Sequence, residues 1–260
     1  MQFLPSSSLV AGIAALAFAF GITPPARGQA YKVPRTPDGL PDLQGIWQVR
    51  DTTAAFDVQD HAGALGIPAG RSIVVQPADG KIPYKPEALA KRQENFKHRD
   101  AADSLNKCYM PGVPRITYLD FPFQIFETPK YTLITYEYIH NYRTIFTNGT
   151  QHLDGLDWWN GDSRGHWDGD SLVVDVTDFN DQTWFDASGD YHSGKLHVVE
   201  RYTRTGPDTL QYEATIEDPE VFTTPWKISL PLYRHTEPNF RLLEYECQAY
   251  ADEAAKGAGQ

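Results

Sequence analysis

Ionisable side chains set among apolar strand residues or in polar loops are where this chain of 260 residues could do chemistry. In Leu196-His197-Val198-Val199-Glu200-Arg201-Tyr202, alternation puts Leu196, Val198, Glu200 and Tyr202 on the more apolar face of a strand. Glu200 is therefore expected to point into the core. Burial raises a carboxylate pKa unless a cation offsets it, so Glu200 is either a general acid or base, or half of a buried ion pair with an arginine on a neighbouring strand. Tyr136 to Arg143 reads as a hairpin tip centred on His140. That spacing sets Glu137 opposite Arg143, as a cross-strand pair or with Arg143 holding a substrate anion. His152 follows Asn148-Gly149 and His192 precedes Ser193-Gly194. An imidazole in such a loop, at a barrel mouth, can titrate near neutrality and move protons. His192, Glu200, Glu137 and His152 are the candidate proton carriers.

Arg143 and Arg115, the latter in the Pro-rich stretch Pro111-Gly112-Val113-Pro114, are the candidate anion holders. Trp159, Trp184 and Tyr138 offer flat faces for stacking a ring. No HxH, HxxxH or HExxH spacing joins the histidines, and no phosphate-loop or dinucleotide fingerprint is present, so neither metal nor cofactor is assigned. Asp162-Ser163-Arg164 lacks the G-x-S-x-G of a nucleophile elbow. Two functions fit these residues. One is a cofactor-independent acid/base enzyme (lyase, isomerase or hydrolase) acting on a small organic or sugar-derived substrate. The other is a non-catalytic periplasmic or secreted binding protein for an apolar or aromatic small molecule.

The elements that must position these groups are mostly strands. Candidate strands cover Phe123–Thr128, Tyr131–Tyr138, Tyr142–Thr147, Gly165–Trp167, Ser171–Val176, Leu196–Arg204, Thr209–Glu217, Trp226–Tyr233 and Leu242–Tyr250. Turn signals such as Pro129-Lys130, Asn148-Gly149, Asp168-Gly169 and Gly206-Pro207-Asp208 separate them. Asp42–Val49 reads as a first strand, and Gly45-Ile46-Trp47 within it is similar to the Gly-x-Trp of lipocalin-like proteins, where the tryptophan plugs the closed end. The expected fold is mainly β: an antiparallel lipocalin-like barrel, with a two-sheet sandwich as the alternative. Pro86 to about Ala102 is the expected helical insertion, packing through Leu89 and Phe96.

Residues 1–30 read as an export signal, with an apolar run from Leu9 to Ile22 and small residues at Gly28-Gln29-Ala30. Residues 31–260 are then a single domain. In an oxidising compartment, Cys108 and Cys247 would join the loop before the barrel to the last strand. The formal charge of −11 argues against nucleic-acid or anionic-membrane partners, which need clustered cations. A small molecule is the expected partner.

Trp158 to Asp175 reads WWNGDSRGHWDGDSLVVD. Taken with Asn148-Gly149-Thr150-Gln151-His152, with His192-Ser193 and Leu196-His197-Val198-Val199-Glu200-Arg201, and with Thr215-Ile216-Glu217-Asp218-Pro219, it resembles a bacterial family of exported proteins. That family's pattern runs W-x-G-D-S-R-G-x-W-[ED]-G-D-[ST]-L-V-V, H-S-x-x-L-H-V-V-E-R and T-I-E-D-P. The likeness extends from about Pro41 to Tyr250. His166 stands where the family more often has Arg, and Asp168 where it usually has Glu. The resemblance implies an exported β domain and assigns no reaction.

Overall fold

Alternating burial along the strands gives the sheet one face toward the core, and the sheet closes on itself. The computed structural model describes Met1 and residues 31–64, 67–153 and 155–257; the expected export signal lies, Met1 apart, outside the described residues. The strands are β1 (Gly45–Gln48), β2 (Val74–Gln76), β3 (Phe123–Glu127), β4 (Tyr131–Tyr136), β5 (Tyr142–Phe146), β6 (Asp162–Asp168), β7 (Ser171–Thr177), β8 (His197–Gly206), β9 (Thr209–Glu217) and β10 (Trp226–Arg234). Nine of them form a closed barrel, β3 to β10 in sequence order with β1 pairing both β3 and β10. The short β2 covers the start of β10, and β1 covers its end. Every second residue of β9 (Leu210, Tyr212, Ala214, Ile216) is buried, which is the period-two pattern of a strand with one face on the core. Gly169, at φ +60°, supplies the left-handed turn residue that joins β6 to β7.

One junction departs from the expected meander. β5 and β6 pair in parallel, Phe146 beside Arg164, so the barrel is mixed. A parallel neighbour needs a long return, and the connection from β5 to β6, residues 147–161, is long enough to supply it.

The strand expected over Leu242–Tyr250 is absent; Cys247–Gly257 is a helix, α3. Closure of β1 on β10 leaves this segment no free barrel edge there, and the Ala-rich sequence of Cys247–Gly257 favours helix. The Cys108–Cys247 disulfide does form, at a sequence separation of 139, but it ties to the start of α3 rather than to a strand. The helical insertion divides at His98 into α1 (Pro86–Lys97) and α2 (Arg99–Ala102). It does not pack through Leu89 and Phe96, both of which are exposed. Ala88 is the buried apolar residue of α1, and Gly189 presses on its backbone so closely that a Cβ there would sit 2.8 Å from Phe96 N.

The two ends of the barrel differ. One is plugged by Trp47, fully buried, whose Nε1 donates to Leu43 O at 2.9 Å. The Arg204 guanidinium lies over that ring at 5.9 Å and donates to the carbonyls of Asp42, Gly206 and Pro207. By register, the other end carries the longer excursions: the segment before β3 with α1 and α2, and the 178–196 loop between β7 and β8.

Candidate functional site

Glu200 points into the barrel and is fully buried. Its carboxylate takes both Nη groups of Arg143 and the hydroxyls of Tyr202 (3.0 Å) and Tyr212 (2.8 Å). Arg143 Nε donates to Ser163 Oγ at 2.8 Å. The arginine is not on a neighbouring strand: β6 and β7 stand between β5 and β8, so the pair spans the lumen. Burial works against charge on Arg143, but Glu200 outweighs it and holds the guanidinium firmly protonated. Burial also pushes the nearby Tyr136 hydroxyl up to about 12. Tyr202 and Tyr212, each at most 1% exposed, pack against the pair, and the equally buried Trp47 and Phe123 belong to the same hydrophobic core. This lumen is a packed core.

Glu137 does not face Arg143. Thr135 pairs with Tyr142, which centres the turn between Tyr138 and Ile139 rather than on His140, and Arg143 falls opposite Ile134. Glu137 instead accepts the Leu243 N–H at 2.7 Å. His192 is 1% exposed, with Nε2 2.7 Å from Thr183 Oγ1 and Nδ1 2.9 Å from Ser193 O. The edges of Phe179 and Phe185 enclose it, so the loop folds back over the ring rather than offering it at a mouth. Burial lowers its pKa, only partly opposed by Ser193 O and Asp218.

His152 is half-buried, with 26% of its side chain exposed. Its Nδ1 faces Asp162 at 3.2 Å and its Nε2 faces Asp175 at 2.9 Å; Asp175 also meets His197 Nε2 at 2.8 Å. Asp162, Asp175 and His197 belong to the motifs of β6, β7 and β8, so those motifs converge as an imidazole–carboxylate chain on the barrel exterior. His152, Asp162 and Asp178 each offer a ligand atom within 4.8 Å of the others, as do Asp57, Asp186 and Asp190. Arginines already serve both groups: Arg164 meets Asp162 at 2.8 Å, and Arg92 meets Asp57 and Asp190 at 3.2 Å. In the second group, burial and then the neighbouring Asp190 raise Asp186 well above the ordinary carboxylate range. That group works as an anchor, because Arg92 on α1 and Tyr84, whose hydroxyl donates to Asp190 at 2.8 Å, fasten the helix to the 178–196 loop.

Trp159 and Trp184 do come together, and what they share is a cavity of about 260 Å³ at the loop-covered end. Trp184 and Tyr191 are antiparallel bridge partners within the 178–196 loop, a pairing continued by Phe185 N–H to Asp190 O. Tyr109 meets Trp159 edge-on at 5.3 Å. Lys91 and Asn95 of α1, with Ser104 and Lys107 of the segment after α2, complete much of the wall. Lys91 sits over the Tyr191 ring at 4.3 Å. The wall segment is pinned at both ends. Asp103 makes a bidentate pair with Arg115 (2.7 and 2.8 Å), and Cys108 is held by the disulfide. Arg115 is thus 1% exposed and committed to Asp103. It also lines a separate cavity of about 420 Å³ on the far side of the segment, with Phe56, Leu119 and Phe121. Tyr138 is buried against Phe121 and Tyr245, near the cavity wall only through a 3.4 Å hydrogen bond to Tyr109 O.

Lys91, Lys107, Ser104, Tyr109 and Tyr191 escaped sequence reasoning. The one available signal was local: Tyr109 adjoins a cysteine and Tyr191 adjoins His192. No family model matches the chain, and no curated protein does.

Proposed function

We propose that this chain is a non-catalytic binding protein of the periplasm or the extracellular space, which holds a small ring-bearing molecule between Trp159 and the Trp184–Tyr191 pair. The convergence of four aromatic side chains from three separate segments on one cavity carries this reading. Aromatic walls bury a flat ligand at little conformational cost. At about 260 Å³ the cavity falls just below the roughly 300–1,000 Å³ of drug-sized sites, which suits a molecule of one or two rings. Export is supported by the apolar run before Tyr31, by the likeness to exported proteins and by the disulfide. Among the described residues no helix is long and apolar enough to cross a membrane.

The test is a titration of intrinsic tryptophan fluorescence with single-ring aromatic compounds and monosaccharides. Saturable quenching that weakens by roughly 3–10-fold in Trp159→Ala, with the thermal transition retained, is the expected result. Quenching indifferent to that substitution sinks the reading.

Acid/base catalysis keeps one specific support, the half-buried His152 between Asp162 and Asp175. If that chain moves protons, His152→Gln abolishes turnover of some small substrate while leaving ligand binding at Trp159 intact.

A further inference from the structure

The charges around the aromatic cavity narrow what it can hold. The protein is acidic, with 34 carboxylate against 23 Lys and Arg side chains, yet this cavity is lined by Lys91 and Lys107 against the single carboxylate of Asp181. Among the described residues neither ammonium group has a salt-bridge partner within 4.0 Å; Lys91 has only the Tyr191 ring beneath it. Ser104 is 2% exposed and its Oγ has no hydrogen-bond partner, an uncommon state for a buried hydroxyl. Asn95 is already committed, donating from Nδ2 to Gly189 O at 3.2 Å. The groups left free are mainly donors. A ligand that satisfies them must bring acceptors and negative charge at its edge, while the four rings require a flat apolar body.

We propose that the cavity binds a monocyclic aromatic carboxylate. The ring lies against Trp159, Trp184 and Tyr191, and the carboxylate is held by Lys91 and Lys107. A sugar fits less well, because each hydroxyl needs an acceptor as well as a donor, and Asp181 is the one carboxylate on the wall. This inference rests on the binding role proposed above and specifies its ligand.

Isothermal calorimetry on the mature, disulfide-bonded protein separates the outcomes, with benzoate, its neutral counterpart benzamide and glucose as probes. Benzoate is expected to bind about tenfold more tightly than benzamide, and the preference to shrink as salt is raised. Lys91→Gln/Lys107→Gln should abolish the preference, bringing benzoate affinity down to about that of benzamide; both lysines are exposed, so folding is not at stake. Equal binding of benzoate and benzamide, each weakened by Trp159→Ala, overturns the carboxylate assignment and leaves the aromatic site standing. Tighter binding of glucose than of either ring overturns it also. Absence of all three binding signals removes the ligand class and the binding role together.

Discussion

The barrel lumen and the loop-covered end use similar side chains in opposite ways. In the lumen, the Arg143 guanidinium, the Glu200 carboxylate and the Tyr202 and Tyr212 hydroxyls are mutually satisfied, and bulky rings fill the remaining space. At the loop end, the ammonium groups of Lys91 and Lys107 line open volume, and among the described residues neither has a salt-bridge partner within 4.0 Å. A buried charge inside a barrel is therefore weak grounds for a catalytic site. What distinguishes a recognition surface here is unsatisfied polarity beside space. In a lipocalin-like barrel the lumen is the obvious place to seek a ligand, but here it serves stability, and ligand recognition is assigned to the loops.

The sharpest way to break this contrast is to unbalance the lumen. Glu200→Leu leaves Arg143 buried without a counter-ion and should cost about 3–5 kcal/mol in urea unfolding. Arg143→Met/Glu200→Leu should be less damaging than that single change, because the orphaned charge goes with it. A double variant worse than Glu200→Leu would mean the pair matters for more than charge balance.

The loop end should instead fail through its tether. Cys108→Ser/Cys247→Ser removes a link closing a long loop and is expected to cost about 2–5 kcal/mol. Hydrogen exchange should rise around residues 103–109 and in α3 before it rises in β7, β8 and β9. Uniform loss of protection would show that the loops and the barrel unfold as one unit.

A smaller effect contrasts two carboxylates of the barrel. Glu127, at the Trp47 end, has no arginine clamp like that of Glu200. Burial and then Asp42 raise its pKa to about 8, against the pull of the Leu43 N–H and of Arg204. The folded state therefore binds this proton more tightly than the unfolded chain, whose ordinary value is 4.5. The stability it confers is full below 4.5 and is lost as pH rises through about 8. Glu127→Gln should remove that share of the slope and make the protein relatively more stable at alkaline pH, as read from urea midpoints across the range. Parallel curves for the two proteins would mean that Glu127 ionises freely in the fold.

Much of the barrel was legible because its information is local. Period-two burial fixed the inward face of β8, Asp168-Gly169 fixed a turn, and the two cysteines left one pairing. The rest depends on closure, which no local pattern encodes. Glu200 meets an arginine from across the lumen because the sheet curls, and Leu242–Tyr250 loses its expected pairing because β1 has already closed on β10. The proposed binding site was half visible. Trp159 and Trp184 announced themselves as large rings in polar loops, whereas Lys91, Ser104 and Lys107 look like ordinary surface residues until α1 and the disulfide-pinned segment are docked beside them. The expected placements of Glu137 and His192 fail for related reasons. A turn centre displaced from His140 carried Glu137 away from Arg143, and a loop that folds back buried His192.

The central claim, that ligand is held at the loop end and not in the lumen, is tested most directly by the six indole N–H resonances of the ¹⁵N-labelled protein, titrated with benzoate. Trp159 and Trp184 should shift in a saturable way while Trp47, hydrogen-bonded to Leu43 in the lumen, stays fixed. A saturable shift of Trp47 with Trp159 and Trp184 unmoved would contradict the account and return recognition to the barrel interior.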